Sequence, residues 1–166
     1  YMYWPMAQEL ADRGVAAAVV RYYDGLPAQT KRKQSSRIFA QRERILDHVI
    51  GNLMRRSQIK GDVLGVYGYS LGGFHTMGLA AKDTRVAAGV SLAGGLSGHI
   101  PHTQVKDAAP LMLIHGTRDR IVPYRRSLIA RSAWQKASQH VELVTLRNVG
   151  HIPYGKARTK ALVTAA

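Results

Sequence analysis

The chain has 166 residues, 46% of them apolar, enough to bury one core and too few for two, so a single domain over residues 1–166 is expected. No apolar run approaches the roughly 20 residues that cross a bilayer, and the absence of cysteine excludes disulfides, thiolate metal sites and a cysteine nucleophile. A formal net charge of +14 raises a nucleic-acid or anionic-membrane partner, but only Lys31, Arg32, Lys33 and Arg37 cluster while the other cations scatter over several helices, so a solvated basic surface is expected and no nucleic acid.

Tyr1–Met6 has neither a basic nor an apolar region of the signal-peptide kind, which leaves a cytoplasmic location as the default and the compartment open. Tyr3, Met6, Ala7, Leu10 and Ala11 recur at helical spacing up to Gly14, which stands where a helix C-cap belongs. Val15 to Val20 is a continuous apolar run, expected as a strand buried on both faces. A polar, basic loop from Leu26 to Ser36 follows. Ile38, Phe39, Ile45, Leu46, Val49, Ile50, Leu53 and Met54 then form one helical stripe, with Arg42, Glu43, Arg44 and Asp47 on the polar faces.

Val63 to Tyr67 reads as a buried strand leading into Gly68-Tyr69-Ser70-Leu71-Gly72-Gly73 and a small-residue helix reaching about Lys82. Further strands are expected at Val86 to Leu92, Pro110 to His115 and Val141 to Leu146. A helix is expected from Tyr124 to Gln139, and a final basic one from Tyr154 onward. The alternation predicts an α/β fold, a mostly parallel sheet of about five strands with helices on both faces.

Glycine-x-serine-x-glycine between a buried strand and a helix is the pattern of a nucleophile elbow, with Ser70 at its apex. A tight turn brings backbone close on either side, and the start of the next helix aims N–H groups at whatever bonds to Ser70, the Leu71 N–H first. A serine hydroxyl needs a base, and the base needs an orienting carboxylate. In parallel sheets reactive groups gather beyond the carboxyl ends of the strands. After Ser70 the acids are Asp83, Asp107, Asp119 and Glu142, and only Asp119 follows a strand on that edge. Its competing reading is a helix N-cap or turn residue before Pro123.

Of the seven histidines, His48, His75 and His140 fall on helices or before a strand. His115 lies in a strand exit and is read as orienting the loop after it. His99 and His102 either shape a substrate pocket or are solvated, and with Tyr69 they are the candidate substrate-binding residues. His151, after the last strand and behind Gly150, is the candidate base. Ser70, Asp119 and His151 stand in the chain order of an α/β-hydrolase triad.

On three segments, the elbow at 68–73, His115-Gly116-Thr117-Arg118-Asp119-Arg120-Ile121-Val122-Pro123, and Gly150-His151, the sequence resembles the α/β-hydrolase superfamily and, more narrowly, the dienelactone-hydrolase-related serine esterases. The resemblance implies catalytic Ser70, Asp119 and His151 and an acyl-enzyme, with no cofactor and no metal. Dienelactone hydrolase itself uses cysteine where this chain has serine, so dienelactone opening is not implied. The family also places a strand and a glycine-rich loop, the source of a second oxyanion donor, before the first helix seen here. The chain is therefore expected to be truncated at its N-terminus.

The expected activity is hydrolysis of small or medium carboxylic esters, because residues 93–109 are too few for a large helical lid. A peptidase or acyltransferase with the same triad, and a non-catalytic basic binding module, are the alternatives.

Overall fold

The computed structural model describes residues 3–23, 36–59, 61, 63–97 and 105–151. They belong to two compact units, Tyr1–Asp62 and Val63–Ala166.

In the first unit, α1 spans Trp4–Asp12, opened by Pro5 in its first turn. Proline suits that position, since its fixed φ is helical and the N–H it lacks has no partner there. Gly14, at φ +82, ends the helix and donates to the Ala11 carbonyl, as only glycine does without cost. The longer α2 spans Ser36–Met54. Its buried residues Ile38, Arg42, Leu46 and Ile50 are four apart, with Phe39 beside them. Arg42 thus corrects the expected polar face: it is fully buried, its guanidinium 5.0 Å from the centre of the Tyr23 ring.

Val15–Val20 departs from expectation more sharply. Among the described residues it joins no ladder, and Val15 and Val19 are exposed. An apolar β-branched run has strand propensity, but a strand exists only where a neighbour supplies hydrogen-bond partners. The sheet accordingly has four strands and not five among the described residues.

Those strands lie in the second unit: β1 (Leu64–Tyr69), β2 (Val86–Leu92), β3 (Leu111–Gly116) and β4 (Val141–Leu146), all parallel and in the order β1-β2-β3-β4. Parallel neighbours need crossovers. α3 (Leu71–Lys82) provides the first and α4 (Arg125–Lys136) the last.

The side-chain alternation of the strands separates two apolar layers. Leu111 and Leu113 of β3, with Leu143 of β4, meet Met77 and Ala80 of α3 and Ala130, Ala133 and Trp134 of α4. The opposite face carries Val90, Leu92, Met112, Ile114, Val144 and Leu146. Trp134 is fully buried and donates its indole N–H to the Ala109 carbonyl at 3.0 Å, so its polar atom is not stranded in the core. Each fully buried aliphatic side chain of these layers, such as Met77, Leu113 and Ile114, contributes about 1.5–3 kcal/mol.

Because all four strands run the same way, residues 70, 93, 117–122 and 147–151 follow their carboxyl ends at a single edge. No described helix is long and apolar enough to cross a membrane. The basic helix expected from Tyr154 onward lies outside the described residues.

Candidate active site

Ser70 joins β1 to α3 with φ 54 and ψ −118, a conformation that costs a non-glycine residue about 1–3 kcal/mol. The turn is over-determined by its surroundings. The Ser70 N–H donates to the Leu92 carbonyl at 2.8 Å, and its carbonyl accepts from Phe74 N–H at 3.2 Å. A Cβ on Gly68 would run into the Gly72 carbonyl group and come within 2.7 Å of Thr76 Oγ1, so the elbow closes only around glycine there. Leu71 is the first residue of α3, and its N–H has no acceptor in the helix's own ladder.

The acid is built by the turn after β3. Asp119 Oδ1 accepts from the backbone N–H groups of Ile121 and Val122 at 2.9 and 2.8 Å. The side chain is fully buried and its Oδ2 lies 2.7 Å from His151 Nδ1. Burial works to raise the pKa of Asp119, but the hydrogen bonds from His151 and from Val122 and Ile121 outweigh it and hold the carboxyl below its ordinary value.

An ionised carboxylate only accepts, so His151 Nδ1 carries the proton that Asp119 receives. Nε2 is then a lone pair, and Ser70 Oγ donates to it at 2.9 Å. The Tyr69 ring packs against the imidazole, with centroids 5.2 Å apart and planes 39° apart.

The loop bearing His151 is laced to the loop bearing Asp119. Thr117 N–H donates to the Leu146 carbonyl, Arg118 N–H to the Val149 carbonyl, and Asn148 N–H to Thr117 Oγ1, at 3.0, 2.9 and 3.0 Å. At the crossing, a Cβ on Gly116 would strike the Val149 carbonyl oxygen and lie 2.7 Å from that of Gly150.

Residues 4–160 match the Dienelactone hydrolase family. The chain belongs to that family. A curated relative, the 2,6-dihydropseudooxynicotine hydrolase of Paenarthrobacter nicotinovorans, is 35% identical over 89 residues, 54% of this chain and 23% of that protein. The chain thus spans about a quarter of the length of the curated relative it matches.

The fold is also that of a candidate dienelactone hydrolase from Klebsiella pneumoniae, with a TM-score of 0.75 at 20% identity over 97% of this chain and 75% of that one. The esterase PE8 gives a TM-score of 0.69 at 16% identity, covering 96% of this chain and 82% of its own. These likenesses show that the dienelactone hydrolase family member shares the fold of those two proteins.

Within this family member the structure brings Ser70, His151 and Asp119 into one hydrogen-bonded line and sets Tyr69 against His151. His99 and His102 lie outside the described residues. Two features escape a residue-by-residue reading of the sequence. Gly116 reads as one more turn glycine, whereas its missing side chain is what admits the His151 loop. His115, read as a loop-orienting residue, does hold that loop through the Val122 carbonyl at 2.8 Å, but it also reaches Asp119. The signal available in the sequence was its four-residue spacing from Asp119 across a turn.

Proposed function

We propose that the protein is a serine hydrolase that cleaves small or medium carboxylic esters through an acyl-enzyme, with Ser70 as nucleophile, His151 as general base and acid, and Asp119 as the orienting carboxylate. The observation that carries this reading is the continuous path from Ser70 Oγ through both ring nitrogens of His151 to Asp119 Oδ2, at 2.9 and 2.7 Å. Membership of a hydrolase family supports it.

In the first half-reaction His151 Nε2 takes the Ser70 proton as Oγ bonds to the ester carbonyl carbon. The carbonyl oxygen becomes an oxyanion, and the Leu71 N–H at the head of α3 stabilises it. Collapse breaks the bond to the alkoxy group, which leaves with the proton held on Nε2. In the second half-reaction water loses a proton to Nε2 as its oxygen attacks the acyl carbon. The acid departs and Ser70 Oγ regains its hydrogen. Asp119 holds Nδ1–H in place throughout and stabilises the imidazolium. The stretch between β2 and β3, residues 93–110, is too short for a large helical lid, which favours small or medium acyl groups.

The test is a substrate series: p-nitrophenyl esters from acetate to decanoate beside matched thioesters and anilides. The expected outcome is turnover of the shorter esters, weaker turnover of the anilides, and a loss of about 10⁶-fold in kcat on Ser70→Ala. Preferred cleavage of the anilides would assign a peptidase, and ester turnover unchanged in Ser70→Ala would remove Ser70 from the chemistry.

A further inference from the structure

Asp119 serves two imidazoles. Its Oδ2 lies 2.7 Å from His151 Nδ1 and 3.1 Å from His115 Nε2. His115 is fully buried, and its Nε2 also lies 2.8 Å from the Val122 carbonyl oxygen. Both of those neighbours only accept, so Nε2 carries the hydrogen and shares it between them. The other ring nitrogen, Nδ1, is then a lone pair. Ser127 Oγ, fully buried in the first turn of α4, lies 2.6 Å from it and donates. In the opposite tautomer the Nε2 lone pair would face two acceptor oxygens in a dry site, and Ser127 would lose its acceptor.

We propose that His115, fixed by Ser127, is a positioning residue for the base: it donates to the carboxylate oxygen that His151 uses, holds Asp119 in register, and sets how strongly that carboxylate stabilises the imidazolium. The inference rests on reading Ser70, His151 and Asp119 as a hydrolytic triad.

Among the described residues, the titratable groups facing the two imidazoles are Asp119 between them, Tyr124 edge-on to His115 at 5.8 Å, and Tyr69 against His151 at 5.2 Å. Burial pushes His115 below its ordinary value, against the contrary pull of the Val122 carbonyl and of Asp119. It therefore acts as a neutral dipole. A donor on Oδ2 draws off part of the negative charge that would otherwise favour a protonated His151. A histidine that merely filled space would leave that balance untouched.

Two substitutions separate the halves of this contact. Asn at 115 places an amide oxygen near the Nδ1 position, where it still accepts from Ser127, but it does not reach Asp119. Gln at 115 places an amide N–H near the Nε2 position and keeps the donor to Asp119 and Val122. With His115→Asn the acid limb of kcat/KM moves up by about half to one pH unit. At the plateau kcat falls about tenfold while KM holds, the pattern of an interaction that matters to the transition state and not to ground-state binding. His115→Gln restores the limb.

An unmoved limb in folded His115→Asn, or a limb displaced equally by both substitutions, would overturn the proposal. A reading independent of turnover comes from nitrogen-15 NMR of the wild-type imidazoles. His115 should appear as the neutral Nε2–H tautomer and stay neutral as ordinary histidines protonate. An Nδ1–H tautomer would overturn the proposal even where the Asn variant does not fold. Failure of the hydrolase reading is seen separately, as absence of ester turnover in the wild type with the His115 tautomer intact.

Discussion

The two halves of the site are held in place by different physics. Ser70 is positioned by the backbone alone: a left-handed φ, a glycine two residues before it, and a chain that has nowhere else to go. Asp119 and His151 sit on two loops of ordinary length, and hydrogen bonds fix them: two backbone donors on Oδ1, two imidazoles on Oδ2, and three bonds between the loops. Strain stores free energy in the native state and is relieved when the constraint goes. A hydrogen-bond network instead loses orientation when one member is removed. Relaxing the backbone at Ser70 itself should therefore trade activity for stability, and substitutions on the other side should lose both.

The largest separation is expected at Asp119→Asn, where the amide no longer selects the Nδ1–H tautomer of His151. Steady-state kinetics should show a fall of about 10⁴-fold in kcat. Next comes Gly116→Ala, whose Cβ meets the Val149 and Gly150 carbonyls. Overpacking of this kind costs about 1–3 kcal/mol, visible in denaturant unfolding. Displacement of the His151 loop should lower kcat by roughly 10² as well, the scale set by a misplacement of about 1 Å. A Gly116→Ala enzyme with full activity would show that the contact between the loops does not position the base.

A smaller effect lies in the pH dependence of stability. His115 has a folded-state value below the ordinary 6.5. Below that pH the unfolded chain takes up a proton that the folded site refuses. The stability it contributes is present above about pH 6.5 and is lost as pH falls toward the depressed folded value, with a limiting slope of about 1.4 kcal/mol per pH unit. His115→Gln removes this component, so its unfolding free energy should fall less steeply than that of the wild type below pH 6.5. Equal slopes would mean that His115 protonates alike in both states.

The smallest effect is at Ser70→Gly, which relaxes φ 54 and should leave an inactive protein that is more stable by about 0.5–2 kcal/mol. A destabilised Ser70→Gly would remove strain from the description of the elbow.

The same contrast explains what the sequence revealed. The juxtaposition of Ser70, Asp119 and His151 was legible because each follows a strand of one parallel sheet, and topology alone gathers them at its edge. The limits of β2 and β4 were legible because their apolar runs end at turns. Val15–Val20, wholly apolar where Val86–Leu92 carries Gly89 and Ser91, reads as a fifth strand and is not one among the described residues, since a run of residues does not say whether a partner strand lies beside it. Arg42 reads as part of a polar face because charge normally marks an exposed one, and the Tyr23 ring under its guanidinium is not a neighbour in sequence. The His115 contact to Asp119 and the closeness of Gly116 to the His151 loop are likewise contacts through space.

The most direct measurement of the central claim is labelling with a fluorophosphonate, which reacts with a serine only when a base activates it. The folded protein should take up one equivalent at Ser70, the label should map to that residue by mass spectrometry, and Ser70→Ala and His151→Ala should each abolish it. A folded protein that takes up no label, or a Ser70→Ala variant that labels as well as the wild type, would contradict the account.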